Sequence, residues 1–166
     1  MSIKNSEQKH FFVRVGDGKN FINSKHPIWG LKSNRGVIKT FINKQMNSGD
    51  IIWFITSASA TKKPSIVIGM AEYVDVFDRL DENLIAVNTY SNEEMGWTLN
   101  TNWDIQIYYK KLYCGKTIEK HNLYTPFKCS ACILALETFK DKTSINFKDE
   151  YNLISKYAEP SKYFED

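Results

Sequence analysis

Asp50-Ile51-Ile52-Trp53-Phe54-Ile55-Thr56-Ser57, followed after a short polar stretch by Ile66-Val67-Ile68-Gly69-Met70-Ala71-Glu72-Tyr73-Val74-Asp75-Val76, decides the fold. The first run is apolar at consecutive positions, so neither of its faces suits water, and it reads as a buried central strand. Asn47-Ser48-Gly49-Asp50 turns the chain into it. Residues 57–65 are small and polar, carry Lys62-Lys63-Pro64, and read as a hairpin loop. The second run reads as a long strand. Gly69 inside it implies a bend or a close approach by another part of the chain.

Outward from this pair, His10-Phe11-Phe12-Val13-Arg14-Val15 reads as a strand that stops at Gly16-Asp17-Gly18. Residues 19–34 are polar, contain Pro27 and read as loop with room for one short helical turn. Val37, Ile38, Phe41, Ile42 and Met46 have helical spacing, which predicts a helix over 36–46. Residues 78–102 form a long polar stretch, and long loops in compact domains are functional or disordered. A strand is expected over 103–113, running into Lys110-Lys111, with a weaker one near Ile118. Helical spacing returns over 130–139 and again over 147–157. No repeat or linker divides the chain, so residues 1–9 are expected to be a flexible end and 10–166 a single domain. The order of elements suggests an α+β domain whose curved mixed β-sheet forms an open barrel with helices packed outside.

Composition bounds the function. With 166 residues, 42% hydrophobic and 14% aromatic, the chain suits one globular domain with a real core. A net charge of +3, from 22 Lys+Arg against 19 Asp+Glu, argues for no partner by itself, so any basic patch must be local. No apolar run approaches the roughly 18 residues of a membrane span, so no membrane partner is expected. The polar first ten residues lack the apolar core of a signal peptide, and three cysteines are an odd number. An intracellular, reducing setting is expected.

Motifs for chemistry are sparse. Cys129-Ser130-Ala131-Cys132 is a single CxxC, and tetrahedral zinc needs two more ligands. Cys114, His10, His26 and His121 are not spaced to supply them, and the strand context of a thioredoxin-like pair is missing. There is no phosphate-binding Gly-rich loop and no nucleophile elbow. Glu93-Glu94 and the pair Asp78 and Asp81 read as solvated carboxylates. The expectation is a protein that is not an enzyme, with no metal and no cofactor.

Aromatic residues are more informative. Of four tryptophans, Trp53 and Trp103 fall in apolar strands and read as core. Trp29, in Pro27-Ile28-Trp29-Gly30-Leu31, and Trp97, in Met95-Gly96-Trp97-Thr98, sit beside glycine where the chain reads as loop. Such rings face partners more often than they fill cores.

Taken in order, several segments resemble the YTH domain, and beyond it the EVE and wider PUA-like superfamily: the Phe11-Phe12 strand; Trp29; the strand from Asp50 to Ser57; Gly69-Met70-Ala71-Glu72; Trp97; and Trp103-Asp104-Ile105-Gln106-Ile107 ahead of Lys110-Lys111. The tail, Tyr151-Asn152-Leu153-Ile154-Ser155-Lys156-Tyr157 with Tyr163-Phe164-Glu165-Asp166, extends the resemblance over residues 10–166. The resemblance implies a reader that holds a modified nucleobase in an aromatic cage, foremost N6-methyladenine in single-stranded RNA. Trp29 matches the first cage tryptophan. Trp97 matches the second, with Tyr90 an alternative because the loop before Trp103 differs in length. Backbone groups near Gly30 and Gly16 would face the base edge, with Asp17 or Asn20 supplying a polar side chain. Arg14, Lys19, Lys32, Arg35, Lys110 and Lys111 would meet phosphates. The family's basic residue just after the opening strand falls at Val15 here, with Arg14 adjacent. Two indole faces sandwiching one base would supply stacking of about 1–3 kcal/mol per base. An EVE-like reader of modified DNA bases is the close alternative. A protein-interaction module built on the loop aromatics and a PUA-related hydrolase using the loop carboxylates stand further off.

Overall fold

Two cores, one on each face of a sheet, account for the unbroken apolar run at 51–55. The computed structural model describes residues 8–31, 42, 45–78, 91–98, 105–125, 132–139 and 143–161. Strand β3 (Ile51–Ile55) is buried along its whole length. Its side chains alternate, as the pleat demands. Ile52 and Phe54 join the cluster holding Phe21, Trp29 and Trp97. Ile51, Trp53 and Ile55 join a second cluster with Phe12, Phe147 and Ile154.

The sheet has six strands in the order β2-β5-β4-β3-β1-β6. These are β1 (His10–Arg14), β2 (Ile28–Leu31), β3, β4 (Val67–Asp78), β5 (Ile105–Cys114) and β6 (Ile133–Ala135). β1 runs parallel to β3 and antiparallel to β6; β3–β4, β4–β5 and β5–β2 are antiparallel, so the sheet is mixed. Register breaks between Met70 and Glu72 and between Tyr73 and Asp75 in β4, and between Phe54 and Ile55 in β3, sharpen the twist and curl the sheet into a half-barrel. The first cluster takes side chains from every strand and fills the hollow.

Helices are short. α1 (Lys19–Asn23), α2 (Ala58–Thr61), α3 (Asn92–Met95), α4 (Lys116–Glu119) and α5 (Leu136–Phe139) are single turns. α6 (Phe147–Tyr157) packs on the outer face through Phe147 and Ile154. Asn146 caps it, its Oδ1 accepting from the Asp149 N–H at 3.1 Å. This is the α+β curved sheet with outer helices that the order of elements suggests.

Several local readings change. Trp29 lies in edge strand β2, not in a loop, because residues 28–31 find a ladder on β5. Ile118, expected in a weak strand, sits in α4, which follows the left-handed Gly115 at φ 62°. Residues 133–135, expected to be helical, form β6 on β1, and only Leu136–Phe139 turns into helix. The 57–65 loop contains the turn α2. Gln8 and Lys9, assigned to a flexible end, are bonded: the Gln8 side chain donates to the Gly49 carbonyl at 2.9 Å, and the Lys9 N–H donates to Asp50 Oδ1 at 3.1 Å. Of the helix expected over 36–46, Ile42 and Gln45 are helical and the Met46 N–H reaches the Ile42 carbonyl at 3.1 Å; most of the rest lies outside the described residues, as does Trp103.

Candidate functional site

A cleft of about 420 Å³ opens where the two edges of the curled sheet approach each other. One wall comes from edge strand β2, with Trp29, Gly30 and Leu31; the other comes from the end of β1 and the glycine turn leading into α1, with Arg14, Gly16, Asp17 and Asn20. Val15, Ser57, Ala60 and Cys132 complete the lining.

The β1 wall owes its shape to turn chemistry. Gly16 and Gly18 hold φ of 61° and 91°, a left-handed backbone that glycine adopts at little cost. The Gly18 N–H bonds the Val15 carbonyl at 3.0 Å, and the Ser57 N–H bonds the Gly16 carbonyl at 2.8 Å, clamping this turn to the end of β3. Asp17 Oδ1 accepts from the Lys19 N–H at 3.0 Å and so starts α1. α1 buries Phe21, whose ring lies 4.4 Å from that of Phe54. Asn20, on the same turn, faces the cleft while its Oδ1 accepts from the Thr98 N–H and hydroxyl at 3.3 and 3.4 Å.

The β2 wall owes its shape to ladder geometry. The Tyr109 N–H donates to the Pro27 carbonyl at 3.0 Å. Bonded and non-bonded pairs alternate along an antiparallel ladder, so Trp29–Ile107 and Leu31–Ile105 are bonded pairs and Ile28–Tyr108 and Gly30–Gln106 are not. Gly30 therefore directs its N–H and C=O away from β5, toward the open edge and the cleft. Ile28 does the same, and its N–H is taken by the His26 carbonyl at 2.8 Å.

Trp29 and Trp97 meet, but not as the two parallel walls of a sandwich. Their ring centroids are 5.4 Å apart with planes at 68°, an edge-to-face contact with no room for a third flat ring between them. Trp97 is 6% exposed, does not line the cleft, and donates its Nε1–H to Ser24 Oγ at 2.8 Å. The Ser24 hydroxyl in turn donates to the Asn20 carbonyl at 2.8 Å. Trp97 sits behind Trp29 as a support tied to α1. Its own segment is set by a capping box, with Ser91 and Glu94 reciprocally bonded, and by left-handed Gly96.

Of the six expected cage residues, Trp29, Gly30, Gly16, Asp17 and Asn20 line one cleft, and Trp97 backs it. Of the expected phosphate contacts, Arg14 lines the cleft and Lys19 is exposed on α1 beside it. Lys110 and Lys111 do not line it; both pair with Glu72 on the neighbouring strand, at 3.2 and 3.9 Å. Lys32, Arg35 and Tyr90 lie outside the described residues. Ser57, Ala60 and Cys132 are not expected from the sequence; they reach the cleft only through the pairing of β1 with β3 and β6.

The remaining titratable groups sit elsewhere. His10 is buried under α6, its Nδ1 accepting from Trp53 Nε1–H at 3.0 Å. Burial, and then the charge of Lys148, lower its pKa from 6.5 to about 4. Burial pushes the Tyr73 and Tyr109 phenols well above their ordinary range. His121 pairs with Glu150 at 3.1 Å. Cys132 is half-buried at the cleft and Cys114 lies at the end of β5; Cys129 is outside the described residues. Among the described residues, no three His, Cys, Asp or Glu side chains gather where a metal would bind, and no helix is long and apolar enough to cross a membrane.

Compared with family models and with curated proteins, the chain matches none. Among solved structures it is similar to a hypothetical protein from Leishmania major, with a TM-score of 0.41 and 10% identity over 91% of this chain and 97% of that one.

Proposed function

We propose that the cleft binds a modified nucleobase presented by a single-stranded nucleic acid, N6-methyladenine in RNA, without chemical conversion. One observation carries the reading: Trp29, 9% exposed and otherwise packed in the core, and the outward N–H and C=O of Gly30 lie side by side on one wall of a cleft the size of a small-molecule site, which ranges over about 300–1,000 Å³. A purine needs an apolar surface for its face and a donor–acceptor pair for its edge; the accessible part of Trp29 would supply the first and Gly30 the second. Asp17 and the Asn20 amide stand opposite as further polar groups for the edge. The aromatic wall is single, with Trp97 fixing the plane of Trp29 from behind.

A methyl group on the exocyclic amine trades one donor for apolar surface, worth about 1 kcal/mol when buried. Discrimination beyond that rests on the polar groups at the base edge, because a buried partner left unsatisfied costs more than a lost methyl contact. The base reaches the cleft only when unstacked, which favours single strands.

Titration of the intrinsic tryptophan fluorescence with a short single-stranded RNA carrying one N6-methyladenosine tests the reading. Quenching is expected with the methylated strand and much less with the unmethylated one. Trp29 also packs in the core, so Trp29→Phe, which keeps an apolar ring there, is the variant of choice; it is expected to weaken binding by part of the about 1–3 kcal/mol of stacking, with unfolding in urea measured alongside. Equal quenching by both strands would refute it, and tighter binding of a modified DNA strand would move the reading to DNA.

A further inference from the structure

Beside Lys19, which the resemblance singles out, the rim of the cleft leads to two lysines that it does not, Lys62 and Lys63. Two loops form the rim opposite β2. One is the Gly16–Gly18 turn, which leads to Lys19; the other runs from Ser57 through α2 to Lys62 and Lys63. They are joined by the bond from the Ser57 N–H to the Gly16 carbonyl at 2.8 Å. Ser57 and Ala60 of the second loop line the cleft itself. Lys62 is held left-handed at φ 61° at the end of α2, where the loop turns back toward β4.

Lys19, Lys62 and Lys63 are all exposed, and none forms an ion pair among the described residues. Lys110 and Lys111 differ: Glu72 offsets their charge, and they lie on β5 away from the cleft. Uncompensated ammonium groups on one rim attract polyanions, while the Asp17 carboxylate on the cleft wall repels phosphate and suits a base N–H.

We propose that the Ser57–Lys63 loop, with Lys19 beside it, is the phosphate track of the site. A single strand whose base enters the cleft lays its backbone over Lys62 and Lys63 and not over Lys110 and Lys111. This rests on the nucleobase reading above and adds the direction in which the strand leaves.

The test compares N6-methyladenosine as a free nucleoside, which has no phosphate, with a single-stranded RNA pentamer carrying the same base at its centre. Wild type, Lys62→Ala/Lys63→Ala and Lys110→Ala/Lys111→Ala are titrated from 0.1 to 1 M salt. Each phosphate contact on a single strand contributes about 0.7 to the log–log salt slope, so losing two lowers the slope by about 1.4 and the pentamer affinity at 0.1 M salt by about 25-fold. Nucleoside affinity of Lys62→Ala/Lys63→Ala is expected to equal that of wild type, which also shows that the cleft is intact. An unchanged pentamer slope in that variant overturns the track, as does a slope that falls only in Lys110→Ala/Lys111→Ala. Wild type binding the nucleoside but the pentamer no better also overturns it while leaving the base-binding reading standing. Wild type binding neither ligand defeats both.

Discussion

Gly69→Ala would show how the sheet positions the site from behind. A Cβ at Gly69 falls 2.8 Å from Phe21 Cζ, 2.9 Å from Phe21 Cε2 and 3.4 Å from Phe54 Cδ2. The first two distances are shorter than carbon atoms tolerate, so Phe21 must move. It has little room, since its ring lies against Phe54 and within 6.5 Å of Trp29 and Tyr109 by centroid. Overpacking of this kind costs about 1–3 kcal/mol. Against it stands the entropy that alanine saves over glycine inside a strand, roughly 0.5–1 kcal/mol. At mid-range, about 2 against about 0.75 kcal/mol, the clash wins with a net loss of about 1 kcal/mol. Urea unfolding reads this as a lower midpoint at unchanged slope. Phe21→Leu removes the offending ring atoms. Combined with Gly69→Ala it should cost less than the two single losses added, with a coupling of about 0.5–3 kcal/mol. A Gly69→Ala protein as stable as wild type, or strict additivity in the double variant, would refute the claim that Gly69 exists to admit Phe21.

Buried polar groups give two further outcomes. His10 is neutral in both folded and unfolded chains above pH 6.5; as pH falls from 6.5 toward 4 the unfolded chain takes a proton that the folded one refuses, so stability drops by about 1.4 kcal/mol per pH unit and about 3 kcal/mol in all. His10→Asn offers Trp53 an acceptor without titrating, so its urea midpoint should fall less than wild type's between pH 7 and 4, and parallel curves would contradict the assignment. Ser24→Ala removes the acceptor of the buried Trp97 Nε1–H and should cost about 1–3 kcal/mol in urea unfolding, with a changed tryptophan emission spectrum; an unperturbed protein would mean that Trp97 is not held through α1.

Sequence reveals here what local patterns determine. Residues 51–55 are apolar on both faces and lie mid-sheet. Gly69 signals a close approach, and Phe21 makes it. Phe147, Tyr151 and Ile154 mark α6 by spacing alone. The features that escape are set by partners far along the chain. Ile28-Trp29-Gly30-Leu31 has no alternation, follows a proline and contains a glycine, so nothing local marks it as a strand; β5, with which it pairs, lies beyond β3 and β4 in the chain. Ile133-Leu134-Ala135-Leu136 satisfies a helical pattern as well as an extended one, and the ladder with Phe11–Val13 decides between them. The candidate site divides the same way. Glycines and polar residues next to Trp29 and β1 are visible in the sequence, whereas Ser57 and Cys132 join them only through the pairing of β1 with β3 and β6.

That curl also bears on what the cleft can hold. β6 covers Phe11, Phe12 and Val13 of β1, and pairing ends with the Arg14 N–H on the Cys132 carbonyl at 3.0 Å, so the seam opens where β1 runs out. Across it, β2 has no partner on its outer side among the described residues, and an unpaired edge ordinarily invites another strand. Here the invitation is short. Within β2 only Ile28 and Gly30 direct their backbone groups outward, and the Ile28 N–H is already taken by the His26 carbonyl. Among the described residues one complete donor–acceptor pair remains, at Gly30. A peptide strand adding to the sheet needs several such pairs to offset the entropy of ordering its backbone, about 1–2 kcal/mol per residue. A rigid heterocycle has no backbone to order, and it meets one donor–acceptor pair with its edge and the adjoining indole with its face. An edge with one such pair is too small to seat a peptide, and on the proposed reading one pair is enough for a single base.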